Sequence, residues 1–372
     1  MKYHIVTYGC QMNVHESEKI AGLLRACGYK EEAPIEDADI VVFNTCCIRE
    51  NAENHAFGNI GALKKLKRQK KGMLIAVGGC MAQEQGKAAL LVKKFPFIDI
   101  IFGTHNVAEL PDLIARKRRE KKVVSLLEDR AATEDGAQAF RTSYPNAWVN
   151  ITYGCNNFCT YCIVPYVRGR EKSRSKDRIL EEVRALVAAG YKEITLLGQN
   201  VNSYRDGDTD FPALLDAVAD VEGKFRVRFM TSHPKDFSAE LVAVMKKHDK
   251  VCNLVHLPAQ SGSSRILSLM NRRYTREQYL DKVALLRKEI PDAEITTDLI
   301  VGFPTETEEE FEETLSLVKE ADFSAAFTFI YSPRTGTKAA EMEGQIPEEV
   351  SKSRIGRLIE KVNENTRRKS EG

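Results

Sequence analysis

Short apolar runs alternate along this chain with longer stretches in which apolar residues recur every three or four positions. In the first third the runs are "YHIVTY", "ADIVVFN", "GMLIAVGG" and "IDIIFG", separated by stretches such as "SEKIAGLLRACG" and "ENHAFGNIGALKKLKR". Continuous apolar runs mark strands buried on both faces, and the wider spacing marks the helices that cover them. The pattern predicts an α/β fold opening with a doubly wound parallel domain over residues 1–120. Residues 121–145 lose the rhythm and read as a linker with room for a strand or two. A second series then follows: "AWVNITYG", "EITLLGQN", "RVRFMTS", "NLVHLPAQSG", "AEITTDLIVGFP" and "AAFTFIYSPR". With helical segments between them, these runs predict a partial (β/α)6 barrel over residues 146–372, ending in a charged helix.

Cysteines occupy particular places in this pattern. Cys10, Cys46 and Cys80 each follow one of the first three strands. In open α/β sheets ligands bind beyond the carboxyl ends of strands, so the three should converge. In the barrel series the strand ends carry small or polar residues: Gly198-Gln199-Asn200, Ser232-His233, Gln260-Ser261-Gly262 and Gly302. His233 and His256 read as structural histidines or as proton and substrate contacts. A second cysteine set is local. "TYGCNNFCTYC" places Cys155, Cys159 and Cys162 at C-x3-C-x2-C spacing, and its "TYGC" repeats Thr7–Cys10.

Composition narrows the chemistry. The N-terminus lacks the pattern of a signal peptide, and no apolar run reaches the roughly 18 residues of a membrane span. The expectation is a cytoplasmic protein with no membrane association. Disulfides rarely persist there, so nine cysteines favour metal or redox chemistry. Cys27 and Cys252 fall in apolar patterns and read as core thiols. The net charge of +2 says nothing about nucleic acid. The basic runs "KKLKRQKK" (Lys64–Lys71) and "RKRREKK" (Arg116–Lys122) read equally as solvated helix ends or as RNA contacts.

A closed structural zinc site needs four ligands, and the local set supplies three. Three thiolates can instead hold a [4Fe–4S] cluster by three of its irons and leave the fourth open to a small molecule. The zinc alternative would need a distant ligand such as Cys252 or a histidine.

C-x3-C-x2-C after a first barrel strand resembles the signature of radical S-adenosylmethionine (SAM) enzymes. Together with "TYGCQMNVHESE", "FNTCCIRENAE", "VGGCMAQ", "YGCNNFCTYCIVPYVRGREKSR", "LLGQNVNSY", "HLPAQSGS" and "IVGFPTETEEEF", it resembles the methylthiotransferases within that superfamily. "YGCQMN" and the "VRGREKSR" tail are most similar to those acting on N6-isopentenyladenosine in tRNA. The resemblance implies that Cys155, Cys159 and Cys162 bind a cluster whose open iron SAM chelates, and that an electron from this cluster cleaves SAM to methionine and a 5′-deoxyadenosyl radical. It implies that Cys10, Cys46 and Cys80 bind an auxiliary [4Fe–4S] cluster holding the sulfur to be inserted. The target would be carbon 2 of adenine at tRNA position 37, one SAM donating the methyl group and a second the radical. Tyr161, Gly198, Gln199, Asn200, Gln260 and Gly262 would contact SAM. Arg168, Arg170 and Arg174 would reach the anticodon backbone. An electron donor and a sulfur donor are further partners.

Two departures accompany the resemblance. Cys47 stands directly after Cys46, where the family has a small residue, and is expected to point elsewhere. The family pattern continues into a small all-β RNA-binding domain (TRAM) that is not reached by residue 372; either the sequence is truncated there or this variant lacks the domain, in which case phosphate binding would fall to the charged grooves and basic runs. Within the family, the alternatives are methylthiolation of threonylcarbamoyl-adenosine or of a ribosomal protein aspartate. Outside it, the alternative is a non-catalytic iron–sulfur scaffold or electron carrier.

Overall fold

The computed structural model describes residues 1–47, 50–127 and 139–371, which form two compact units. The first unit runs through β1 (Lys2–Thr7), α1 (Gln11–Ala26), β2 (Glu31–Glu32), β3 (Ile40–Thr45), α2 (Glu50–Gln69), β4 (Leu74–Gly79), α3 (Cys80–Gln83), α4 (Lys87–Lys94), β5 (Ile100–Phe102), α5 (Leu110–Lys117) and β6 (Val123–Ser125). Its six strands form one sheet in the order β2-β1-β3-β4-β5-β6, and every pairing is parallel. Side chains alternate across it, as the strand period requires. Ile40 and Val42 of β3 pack with Ile20, Leu24 and Leu113 on one face. Val41 and Phe43 pack with Ile60, Leu63 and Leu91 on the other. Helices cover both faces, so the sheet is doubly wound as predicted.

The chain continues with β7 (Asn146–Asn150), β8 (Thr152–Tyr153), α6 (Val164–Arg168), β9 (Lys172–Ser173), α7 (Lys176–Ala188), β10 (Glu193–Leu197), β11 (Arg205–Asp206), β12 (Thr209–Asp210), α8 (Phe211–Ala219) and β13 (Arg226–Met230), all but α6 belonging to the second unit. Then come α9 (Ala239–Lys247), β14 (Leu254–His256), α10 (Ser264–Leu269), α11 (Arg276–Glu289), β15 (Glu294–Val301), α12 (Glu308–Ala321), β16 (Ala325–Ile330) and α13 (Glu348–Glu371). Six of these strands are the predicted series, arranged as two parallel triplets, β7-β10-β13 and β14-β15-β16. The bridge Val227–Val251 lies where the triplets meet. Among the described residues no ladder joins β16 to β7, so the barrel is partial. Ile194, Leu196, Val227, Phe229, Ile295 and Leu299 point outward into a core completed by helical residues such as Leu214, Leu286 and Phe311. Thr275 and Thr307 start α11 and α12 with full capping boxes.

The domain boundaries differ from the predicted ones. The segment read as a linker contributes β6, which pairs with β5. Arg141, Thr142 and Ser143 then fasten to Glu18 of α1 at 3.1, 3.1 and 2.9 Å, and the first unit extends to Tyr144. Residues 128–138 of that segment lie outside the described residues. The first unit also contains Ile163–Arg170 and hence α6, because Ile163 and Val167 are apolar and bury in its core.

Candidate functional site: two three-cysteine sets

The sheet order brings the first set together. Strands β1, β3 and β4 are adjacent, and Cys10, Cys46 and Cys80 follow their carboxyl ends. The strand order reverses between β1 and β3, and such switch points open a crevice for ligands. Cys10 is the N-cap of α1, yet its side chain caps no N–H group. Its Sγ lies 3.9 Å from Asn13 Oδ1, at the helix end whose partial positive charge favours a thiolate. Asn13 Nδ2 donates to Tyr8 O (2.8 Å) and Thr45 O (3.1 Å), tying the ends of β1 and β3. Gly9, at φ +114°, allows close approach: a Cβ there would fall 2.9 Å from Cys46 Sγ. Gly79, at φ +93°, does the same before Cys80, since its Cβ would sit 2.4 Å from Thr45 O.

Cys47, expected to point elsewhere, is fully buried and its thiol interacts with that of Cys80. That contact, with the nearby guanidinium of Arg168, lowers the Cys80 thiol to about 7, while the Cys47 thiol rises. Arg168 is also not where an RNA contact would be. It is 5% exposed, with Nη2 2.8 Å from Asn13 Oδ1 and 3.3 Å from Glu16 Oε2. Val167 O, beside it, accepts from Thr104 Oγ1 at 2.5 Å. Burial and pairing turn Arg168 toward the cysteines.

The second set lies on the loop after β8. Phe158 takes a positive φ of 48°, Cys162 N donates to Cys159 O at 2.9 Å, and Asn271 Nδ2 donates to Asn157 O and Phe158 O. Burial pushes the Cys155 thiol up to about 11. Arg272, not anticipated from the sequence, is 5% exposed and places Nη1 3.4 Å from Cys159 Sγ. Its other hydrogen bonds go to Tyr274 Oη and Pro258 O, so among the described residues no carboxylate pairs with it. A buried guanidinium without a carboxylate suits an anionic thiolate set. Only the run "MNRRY" hinted at it.

Among the described residues no three His, Cys, Asp or Glu side chains close around a single metal ion. A cubane is held differently, with each thiolate on a different iron. The fit to clusters rests on three thiols per set, each set beside one buried arginine.

Polar atoms without partners gather at the barrel's strand ends: Asn150 Oδ1, Thr152 Oγ1, Ser232 Oγ and His233 Nε2, all buried. Such orphans are rare in folded proteins and suit a polar ligand. Asn200 sits among these ends, holding His233 N (3.2 Å) and Asp236 Oδ2 (2.6 Å). Gly198 packs on Thr152, where a Cβ would fall 2.2 Å from Oγ1, and Gln199 is half-buried. Gln260 adopts φ +72° and bonds through its backbone to β15. Gly262 serves packing instead. Its N–H donates to Thr314 Oγ1, and a Cβ would fall 2.3 Å from Glu313 O of α12. Tyr161 is half-buried against Ile266, Met270, Ile300 and Phe303. Burial, with Arg272 nearby, drives His233 far below the usual histidine range, so it is neutral. His256 binds Thr296 Oγ1 (2.9 Å) and lies 3.4 Å from Asp298 Oδ2.

The other basic candidates divide similarly. Arg174 is occupied by Asn150 O and Glu182, whereas Arg170 is exposed. Lys67 and Lys117, one from each basic run, both pair with Asp99, and both lie in last turns of helices, where cations offset the dipole.

Residues 149–318 match the radical SAM superfamily, and residues 2–103 match the family described as Uncharacterized protein family UPF0004. The chain is 54% identical over 363 residues to the tRNA-2-methylthio-N(6)-dimethylallyladenosine synthase of Clostridium perfringens (strain SM101 / Type A), covering 96% of this chain and 81% of that one. It is 54% identical over 366 residues to the enzyme of the same name from Caldicellulosiruptor saccharolyticus, covering 97% and 78%. The radical SAM methyltransferase TsrM from Kitasatospora setae shares the fold, with a TM-score of 0.67 at 13% identity over 91% of this chain and 74% of that one. Fold and site together define a radical SAM enzyme. Within that class, the chain belongs to the family of tRNA-2-methylthio-N(6)-dimethylallyladenosine synthases.

Proposed function

We propose that this enzyme transfers a methylthio group to carbon 2 of the adenine in N6-isopentenyladenosine at tRNA position 37, using SAM as methyl donor and radical source. The observation that carries the reading is the 54% identity to synthases of that name, sustained over 96% of the chain.

Cys155, Cys159 and Cys162 would hold the cluster that binds SAM, and Cys10, Cys46 and Cys80 an auxiliary cluster for the sulfur to be inserted. Bound clusters and SAM supply the electron transfer, methyl group and radical chemistry. The chain's own part is to hold, orient and shield. The target C–H bond is not acidic, so proton transfer by a side chain cannot activate it. His233, neutral in its buried position, has no imidazolium proton to give at physiological pH. It serves better as a neutral hydrogen-bond donor: Nδ1 accepts from Lys235 N at 3.2 Å, which leaves Nε2 carrying the hydrogen and without a partner. That donor, with Asn150, Thr152, Ser232 and Asn200, would orient the polar end of SAM. Tyr161 would cover its apolar side, and Gln199 and Gln260 would line the same strand ends. Arg170, the exposed arginine of the "VRGR" stretch, would meet tRNA phosphate.

A reducing partner and a sulfur donor complete the cycle, which would run in the cytoplasm; no helix among the described residues is long and apolar enough to cross a membrane. Mass spectrometry of tRNA nucleosides from cells with and without the gene tests the proposal. Loss of the methylthio group from isopentenyladenosine is expected. An unchanged nucleoside overturns the reading, and loss from threonylcarbamoyl-adenosine or from a ribosomal protein aspartate redirects it.

A further inference from the structure

We infer that Arg168 is the fixed counter-cation of the Cys10, Cys46 and Cys80 set and raises the reduction potential of the cluster held there. This rests on the auxiliary-cluster reading above.

Arg168 is buried in the first unit, where an uncompensated guanidinium is costly. Among the described residues its one carboxylate partner is Glu16, at 3.3 Å. Nη2 donates to Asn13 Oδ1 at 2.8 Å, and the same oxygen lies 3.9 Å from Cys10 Sγ. Its Nε is buried without a hydrogen-bond partner. Its helix, α6, packs on α3, whose first residue is Cys80. Among the described residues the guanidinium thus has one carboxylate partner and an unfilled donor direction beside the helix starts that carry Cys10 and Cys80, an environment suited to more negative charge than Glu16 supplies.

Reduction adds one negative charge to a cluster that three thiolates already make anionic. Cluster potentials respond to nearby charge and to hydrogen bonds at sulfur. A fixed cation favours the added electron, and the Glu16 carboxylate opposes it. Removing each should therefore shift the potential in opposite directions. A purely structural role for the pair would not produce that sign reversal. Lysine keeps the charge but loses the planar fork that spans Asn13 and Glu16.

The test uses the full chain carrying Cys155→Ala, Cys159→Ala and Cys162→Ala, so that only the first set can hold a cluster. Arg168, R168K, R168Q and E16Q versions are reconstituted anaerobically. Iron and sulfide are counted, and the midpoint potential is followed by EPR-monitored redox titration. About four irons per chain are expected. R168Q should move the midpoint negative, E16Q should move it positive, and R168K should lie nearer the parent. A loaded R168Q cluster with an unmoved midpoint overturns the inference. If R168Q does not load, R168K decides. Loading at a near-parental potential sustains the charge role, and failure to load overturns it. A parent that binds no iron removes the auxiliary-cluster reading itself, a result distinct from an intact cluster with an unmoved potential.

Discussion

Cys155, Cys159 and Cys162 lie on one loop, held by short backbone contacts and by Asn271. Cys10, Cys46 and Cys80 lie far apart in the chain and follow neighbouring strand ends only because β1, β3 and β4 are adjacent in one sheet. Each set nonetheless has one buried arginine, Arg272 in one case and Arg168 in the other. Local spacing makes the first kind of site; strand register makes the second. A site assembled by register depends on the stability of the whole sheet, and its helix starts are given over to it. Cys10 caps no N–H of α1, whereas Thr275 and Thr307 cap their helices fully.

The largest effects should come from the cysteines themselves. Alanine at any one of Cys155, Cys159 or Cys162 should abolish SAM cleavage, measured as 5′-deoxyadenosine. Alanine at Cys10, Cys46 or Cys80 should leave that cleavage in place and abolish methylthiolated product. Either change should lower bound iron from about eight to about four per chain. A Cys10→Ala protein that still holds eight irons and makes product would break the comparison.

Next comes acid sensitivity of the first unit. Burial alone would raise the Glu18 carboxyl, but hydrogen bonds from His15, Thr142 N and Ser143 and the charge of Arg141 hold it at about 2, against an ordinary 4.5. A lowered carboxyl stabilises the fold above its unfolded value and loses that contribution as pH falls from about 4.5 toward 2. The contribution is on the order of 3 kcal/mol. Urea denaturation of the apoprotein should show this acid loss, and Glu18→Gln should remove most of the pH dependence while lowering stability at pH 7.

Gly79→Ala should cost about 1–3 kcal/mol, because its Cβ would meet the backbone of Thr45. Iron should be lost from the sheet-built set while SAM cleavage persists. Equal loss from both sets would contradict the contrast drawn here. The smallest effect is expected for Thr307→Ala, which removes one cap from α12 at about 1 kcal/mol. It should lower the melting temperature slightly and leave the iron content of both sets unchanged.

Much of this was legible in the chain. Strands buried on both faces leave continuous apolar runs, so β1, β3, β4 and β5 and all six barrel strands could be read directly. The linker reading failed at β6, a three-residue strand too short to leave a period. It failed again at Arg141–Ser143, whose anchor on Glu18 lies more than a hundred residues away. Gly262 looked like a SAM contact because glycine marks close approach; the approaching group is the backbone of α12.

The arginines mark the boundary most clearly. "VRGREKSR" reads as a basic tail following a cluster loop, and charge alone cannot tell a phosphate contact from a buried counter-ion. The sequence by itself determined the two sets of three cysteines, the alternation that builds both units, and the family. Only the tertiary structure decided that Arg168 turns inward to Asn13 and Glu16, that Arg174 is occupied by Asn150 and Glu182, and that Arg170 faces solvent. The reason is physical. A strand's pattern is set by its own residues, while the fate of a long charged side chain is set by burial and by partners that the fold brings from elsewhere in the chain.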